Sequence, residues 1–414
     1  MPRVIKVRYL LVALVSLLTL APPSVGAGVA PAPAPGGARA AARHWTGTWE
    51  AAASGTVPAR PGASIRNVVH TSVGGEAVRV RISNRLGTAP LLVGAVTVAL
   101  QEPGAPATPD AVPGSMRKVT FGGVDAVVVP AGSDLVGDPV RLPVRADANL
   151  LVSVHTPADS GPATYHRSAF QTNFLAPGGD RTADEHGTRY TARLNHWYYV
   201  TGVDVLGAPV AGSVVTLGDS ITDGTGSTPS ANHRWPDRLA ARLRALPPYR
   251  GLGVLNAGIS GNRLLSEGGG PSALDRLDAD VFSRTGVRAV IVMEGINDIK
   301  GTPEQRDPRA LEDAYRRIVA RAHALGIRVV GATITPYGGH HAWTEAREAV
   351  RQEVNAYLRT GGPFDAVADF DAAVRDPSDP RRILPAYDPG DHLHFNDAGM
   401  RALADTIDLG TLVP

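Results

Sequence analysis

The hydrophobic pattern changes period part-way along the chain. Over residues 44–206 apolar and polar positions alternate in short runs. In Ala77-Val78-Arg79-Val80-Arg81-Ile82 the apolar side chains fall on one face of an extended segment and the two arginines on the other. Residues 65–69, 91–100, 124–129, 150–154 and 197–203 read as further strands, separated by turn clusters such as Gly74-Gly75 and Asn84-Arg85-Leu86-Gly87. With no long helical pattern between them, this spacing predicts an all-β antiparallel sandwich or jelly roll. From 213 to 414, strand-length apolar runs at 214–217, 254–255, 289–293, 329–334 and 366–370 alternate with amphipathic patterns at 235–246, 308–325, 344–358 and 397–407. That alternation predicts an α/β domain whose parallel sheet is covered on both faces by helices. Gly326 stands where the helix ending near 325 needs its C-cap. The segment Gly207-Ala208-Pro209-Val210-Ala211-Gly212 reads as a hinge between the two regions.

The start of the chain follows neither pattern. Arg3, Lys6 and Arg8 precede an apolar run over 9–21 and the small-residue stretch Val25-Gly26-Ala27, which predicts a cleaved secretory signal peptide over residues 1–27. The run is too short to span a bilayer, so no stable membrane insertion is expected after cleavage. Residues 28–43 are Ala/Pro/Gly-rich and predict a flexible linker. A secreted, extracellular protein is the expectation.

Composition narrows the partners and the chemistry. Of 414 residues 43% are hydrophobic and 19% charged, as in a globular protein with about two domains. Loss of residues 1–27 would lower the formal charge by three, from +2 to −1. A near-neutral surface argues against nucleic acid or an anionic membrane as main partner. There is no cysteine, which excludes disulfides and thiol catalysis. Trp45, Trp49, Trp197, Tyr198 and Tyr199 are read either as a sugar-stacking platform or as core packing.

Candidate chemistry concentrates after the strands of the second region. Val214, Val215 and Leu217 run into Gly218-Asp219-Ser220, a strand–turn–helix context that makes Ser220 a candidate nucleophile. Gly258, in Asn256-Ala257-Gly258-Ile259-Ser260-Gly261-Asn262-Arg263, offers a backbone N–H unobstructed by a side chain, although a glycine also serves a turn. Asn297, in Gly295-Ile296-Asn297-Asp298, has an amide able to donate to a developing oxyanion, although Asn and Asp after a strand are ordinary cap residues. In Asp388-Pro389-Gly390-Asp391-His392-Leu393-His394, Asp391 can hold the His394 imidazole toward a serine. Two alternatives stay open: Asp388 with His392 as the working pair, or His392 and His394 with both aspartates around a metal.

As a set and in this order, these four blocks resemble those of the SGNH/GDSL hydrolase family over about residues 213–414. Ile221 stands where the family name has Leu. The resemblance implies a flavodoxin-like three-layer α/β/α domain with Ser220, Gly258, Asn297 and His394 at the four defining positions and Asp391 completing a triad. It further implies ester hydrolysis through an acyl-enzyme: His394 takes the Ser220 proton, Asp391 fixes the imidazole, and the N–H groups of Ser220 and Gly258 hold the oxyanion with the Asn297 amide. No metal or organic cofactor is expected. A β region followed by such a domain is also similar to secreted actinobacterial GDSL-like esterases, including a branch associated with xylan degradation. The expected substrate is a small acyl ester or an acetylated plant polysaccharide, with an extracellular lipase or phospholipase as the alternative and a binding protein that has lost activity as a third reading. Arg263, His340 and His341 are candidate substrate-cleft residues, and a monomer is expected.

Overall fold

The computed structural model describes residues 43–104, 108–208 and 212–413. The expected signal peptide and all but the last residue of the expected linker lie outside them. Among the described residues, no helix is long and apolar enough to cross a membrane.

The first region is β-rich, with two main antiparallel sheets sharing a core, a three-stranded sheet of Trp197–Tyr198, Ala163–His166 and Gly55–Val57, and a two-stranded sheet of Leu91–Val93 and Val127–Val129. One main sheet orders its strands as Ala192–Leu194, Asn173–Ala176, Ala63–His70, Asn149–Thr156, Ala95–Leu100 and Arg117–Val119. The other runs His44–Glu50, Val200–Ala208, Gly75–Ser83 and Val140–Val144, with Asp134–Val136 also paired to Gly75–Ser83. The alternation at 77–82 does what its period requires. Val78, Val80 and Ile82 are fully buried against Ile65, Val69, Val96 and Val152 of the facing sheet. Arg79 and Arg81 point the other way, toward the second region, where Arg79 donates to Thr285 Oγ1 at 3.0 Å. Of the two readings of the aromatics, core packing holds for four: Trp49, Trp197, Tyr198 and Tyr199 are buried, Trp49 meets Trp197 edge-on at 5.0 Å, and Trp197 Nε1 donates to Val68 O at 2.7 Å, whereas Trp45 is half-buried under the Arg79 guanidinium at 4.6 Å. The strands at 140–144, 163–166 and 173–176 had no separate sequence signal, being short and interrupted by Pro, His or Asn.

The second region is a five-stranded parallel sheet. In chain order its strands are Gly212–Gly218, Leu252–Gly258, Val287–Met293, Arg328–Ala332 and Ala366–Ala368, and in space they lie second, first, third, fourth, fifth. This is the flavodoxin-like order, with its crevice at the switch between the first and third strands. Alternate residues feed opposite faces. Val215, Leu217, Val290 and Val292 pack into one core, whereas Val214, Ala289, Ile291 and Met293 pack into the other. Helices α1 (Ser220–Asp223) and α2 (Trp235–Ala245) follow the first strand, α3 (Ala273–Leu277) the second, α4 (Ile296–Lys300) and α5 (Pro308–Ala324) the third. Then come α6 (Glu345–Thr360), α7 (Phe370–Val374) and α8 (Asp397–Asp405). The apolar stripes of α3, α5 and α6 cover the first core and those of α2, α7 and α8 the second, completing three layers. Gly326, at φ 70°, closes α5 as its position predicts, with Ile327 N–H returning to Ala322 O at 2.9 Å.

The two regions meet through backbone and charge. A Cβ on Gly253 of the second parallel strand would lie 1.9 Å from Gly47 O, so only glycine permits this approach of the strand His44–Glu50. Ser213 Oγ accepts from Gly47 N–H at 3.1 Å, and Ser72 Oγ accepts from Val254 N–H at 2.9 Å. Buried Asp280 faces Arg85 at 2.6 Å and both Arg276 and Arg284 at 3.3 Å, while Arg284 reaches Glu50 at 2.7 Å. These guanidinium groups hold the Asp280 carboxyl low against its burial, whereas burial pushes Glu50 up to about 8 despite Arg284 beside it.

Candidate active site

Ser220 opens α1 at the carboxyl end of the first parallel strand. So short a helix depends on its caps rather than on propensity: Asp219 Oδ1 accepts from Ile221 N–H at 2.9 Å, and Gly224 ends it at φ 112°. The turn is tight as well, since a Cβ on Gly218 would lie 2.1 Å from Thr222 Oγ1 and 2.8 Å from Met293 O. Burial pushes the Asp219 carboxyl up to about 7, against the opposing Ile221 N–H and Lys300.

The Ser220 hydroxyl lies 2.8 Å from His394 Nε2. On the opposite side of the ring, Nδ1 lies 2.5 Å from Asp391 Oδ2. The other oxygen of Asp391 accepts from the backbone N–H of Leu393 at 3.0 Å and of His394 at 2.9 Å, so one local turn builds the Asp–His couple before it meets the serine. Burial alone would raise the Asp391 carboxyl, but the backbone and side-chain bonds from His394 hold it below its ordinary value. With Nδ1–H given to a carboxylate, Nε2 carries the lone pair that faces Ser220.

Asn297 stands near the start of α4, almost fully buried, and one of its amide hydrogens goes to Asn262 O at 2.8 Å. Its neighbour Asp298 accepts from Leu264 N–H at 2.7 Å and Leu265 N–H at 3.0 Å, so this turn clamps the loop after the second strand. Gly258 needs a correction. Its N–H already donates to Asn256 Oδ1 at 2.9 Å and is not free for an oxyanion. What the site requires of Gly258 is the missing side chain, because a Cβ would lie 2.3 Å from Asp223 N. Three residues on, Gly261 takes φ 81°, and its N–H has no protein acceptor among the described residues. The second glycine of Gly258-Ile259-Ser260-Gly261 was visible in the sequence, but which of the two is spent on packing depends on α1.

Residues 216–402 match the model of the GDSL-like Lipase/Acylhydrolase family. The second region is a GDSL-like lipase/acylhydrolase domain. Solved structures similar to it include the acetylxylan esterase Axe2 from Geobacillus stearothermophilus, at 22% identity over 47% of this chain and 91% of that one, with a TM-score of 0.37. Another is LAE5, an alpha/beta hydrolase enzyme from the metagenome of Lake Arreo, Spain, at 24% identity over 48% of this chain and 95% of that one, with a TM-score of 0.36. No curated protein sequence matches the chain. The acylhydrolase domain accounts for the all-β and α/β division, since the family match begins in the first parallel strand.

Around the serine, the acylhydrolase domain separates the two His–Asp couples. His392 Nδ1 lies 2.5 Å from Asp388 Oδ2, at φ 61° and with a half-exposed ring, so it forms a second couple while His394 takes the serine. Among the described residues, no group of three or more His, Asp and Glu side chains is placed around a common metal position. His340 stacks on His341 at 4.1 Å between ring centres. Burial first, then His341, Lys300 and His394, push His340 down to about 4 against the pull of Asp391. His340 is thus favoured as a neutral ring. Arg263 instead lies along the rim loop, with Nη1 donating to Pro303 O at 3.2 Å. Arg276 had no sequence signal, being one arginine among many. Buried on α3, it donates to Ala257 O at 2.6 Å, Gly218 O at 3.1 Å and Asn262 Oδ1 at 3.0 Å, tying together the ends of the first two strands and the Gly261 loop.

Proposed function

We propose that this acylhydrolase is a secreted serine esterase that removes short acyl groups, acetyl first among them, from a hydroxyl-rich polymer such as plant xylan. The observation that carries the reading is the continuous chain from Asp391 through His394 to Ser220, at 2.5 and 2.8 Å. In the proposed cycle His394 takes the Ser220 proton as Oγ attacks the ester carbonyl. Asp391 stabilises the imidazolium, and the proton passes to the leaving alcohol. Water then repeats the attack on the acyl-enzyme and returns Ser220. The oxyanion is assigned to the N–H groups of Ser220 and Gly261 and to the Asn297 amide. The hydrophilic alcohol is supported by the polar surroundings of His340, whose ionisable neighbours include Lys300, Asp391 and His394. The exposed apolar residues Leu246 and Leu325 precede strands and so sit at the opposite edge of the sheet from Ser220. Secretion is supported by the apolar run and cleavage site at the start of the chain.

The deciding experiment compares acetate released from acetylated xylan with fatty acid released from phosphatidylcholine. Acetate release by the wild type, absent in Ser220→Ala, supports the esterase. Fatty acid release with no acetate would make the protein a phospholipase of the same family. N-terminal sequencing of protein recovered from the medium of a secreting host tests the leader, and a start near residue 28 is expected.

A further inference from the structure

His166 lies outside the acylhydrolase domain, on the antiparallel strand Ala163–His166, yet it reaches into the structure that holds Ser220. Its imidazole is almost wholly buried between the two regions, against the Trp197 ring at 5.4 Å. Nδ1 faces Ala52 O at 2.7 Å and Nε2 faces Asp223 Oδ1 at 3.0 Å. A carbonyl only accepts, and so does a carboxylate, so both ring nitrogens carry protons and His166 is an imidazolium. Burial works against that charge, but Asp223 and the Ala52 carbonyl together outweigh it and the imidazole is raised above its ordinary value.

Asp223 is the last residue of α1, the helix that Ser220 opens. Its other oxygen, Oδ2, accepts from both the backbone N–H of Ser260 at 2.8 Å and the Ser260 hydroxyl at 2.6 Å. Ser260 immediately precedes Gly261. One carboxylate therefore links a histidine of the β region, the serine helix and the loop carrying the free Gly261 N–H. Arg234 secures the same junction, with Nε donating to Asp223 O at 3.1 Å and Nη2 donating to Ala169 O of the β region.

We propose that His166 is a positioning residue for catalysis: through Asp223 it fixes Ser260 and hence the Gly261 N–H against the oxyanion formed at Ser220. The inference rests on the acyl-transfer reading above. It gives the β region a part in the reaction in addition to packing. A donor misplaced by about 1 Å can cost on the order of 100-fold in rate, whereas ester binding that does not use the oxyanion donors is untouched.

The test is kcat and KM for p-nitrophenyl acetate in His166→Ala, His166→Gln, Ser260→Ala and the combined His166→Ala/Ser260→Ala protein, with melting temperature and circular dichroism for each. His166→Ala is expected to lower kcat by roughly 10- to 100-fold with KM within about twofold. His166→Gln, whose amide can still donate to Asp223, recovers part of the loss. The combined variant is expected to lose little more than the worse single one, because both act through one carboxylate. A folded His166→Ala protein with normal kcat overturns the proposal, as does strict additivity with Ser260→Ala. If His166→Ala does not fold, Ser260→Ala and His166→Gln decide: unchanged kcat in both overturns it, and a kcat loss at constant KM sustains it. Ser220→Ala separates the two levels. Residual full activity there would sink acyl transfer itself, whereas an inert Ser220→Ala beside a normal His166→Ala would sink only the role of His166.

Discussion

The two halves of the molecule spend their buried polar groups differently. In the β region, Arg66 is fully buried and each part of its guanidinium meets an acceptor: Ser153 Oγ at 2.9 Å, Pro109 O at 2.6 Å and Asp184 O at 2.7 Å. Asn67 likewise exchanges bonds with the Tyr198 backbone, accepting at 2.9 Å and donating at 3.2 Å. Those side chains are used to hold strands and loops together. In the acylhydrolase half three buried acids gather near one turn. Asp219, Glu294 and Asp298 are all raised by burial, within the cluster that surrounds the Ser220 turn. Shifted groups occur in both halves, Glu50 and Arg66 among them, and what distinguishes the acylhydrolase half is that three shifted acids gather at one turn.

Ser220→Ala breaks the comparison most sharply. Here kcat is expected to fall by roughly 10⁴- to 10⁶-fold with the melting temperature unchanged, because the hydroxyl works in the reaction and not in the core. Asp280→Ala is its opposite, since it removes the buried carboxylate that Arg85, Arg276 and Arg284 share at the junction of the halves, leaving each only its second acidic partner. Denaturant unfolding should show a loss of about 3–5 kcal/mol, the usual cost of removing one partner from a buried ion pair. Retention of full stability would mean that water already enters that junction. Asn297→Ala should lower kcat by roughly 100- to 1,000-fold at nearly constant KM, and Asn297→Asp at least as much near neutral pH. A shift in melting temperature with near-normal kcat would instead make Asn297 a turn residue.

His166 of the β half and Asp391 of the acylhydrolase half respond to acidity with opposite sign. His166 is raised above 6.5, so the stability it contributes is complete below that pH and is lost as pH rises through its folded value. Asp391 is held below 3.8, so its contribution is complete above that pH and is lost as pH falls through the lowered value. Melting temperatures of the wild type against His166→Gln should therefore converge on the alkaline side, and against Asp391→Asn on the acid side. Convergence on the reverse sides would remove the protonated His166 or the ionised Asp391. The smallest effect is expected for His392→Ala, under about threefold in kcat, because its ring is bonded to Asp388 and not to the serine. A loss as large as that of His394→Ala would transfer the working couple to His392.

Much of this was legible in the residues alone. Period-2 alternation at 77–82 and strand–helix alternation after 213 determined the two layers of architecture, because a half-buried strand and a covered parallel sheet admit few other patterns. Ser220, Asn297, Asp391 and His394 were legible because each sits at a strand or turn end, where local chemistry and local geometry coincide. Asp391 and His394 in particular are joined by a single turn that the spacing itself sets. What tertiary structure decided lies wherever two segments far apart in sequence compete for the same atom. Gly258 was the donor the sequence suggested, but α1 lies within 2.3 Å of its absent Cβ and Asn256 takes its N–H. For Trp197 the sequence left a sugar platform and core packing both open, and burial decided for the core. His166 stands 57 residues from Asp223 in the chain, and no periodicity reports that a histidine of one sheet will supply the counter-charge for a helix of another region. Sequence determines local conformation and the face each side chain presents. The partner across a long-range interface is chosen by packing, because burial sets which hydrogen bonds must be made and which donors are left free.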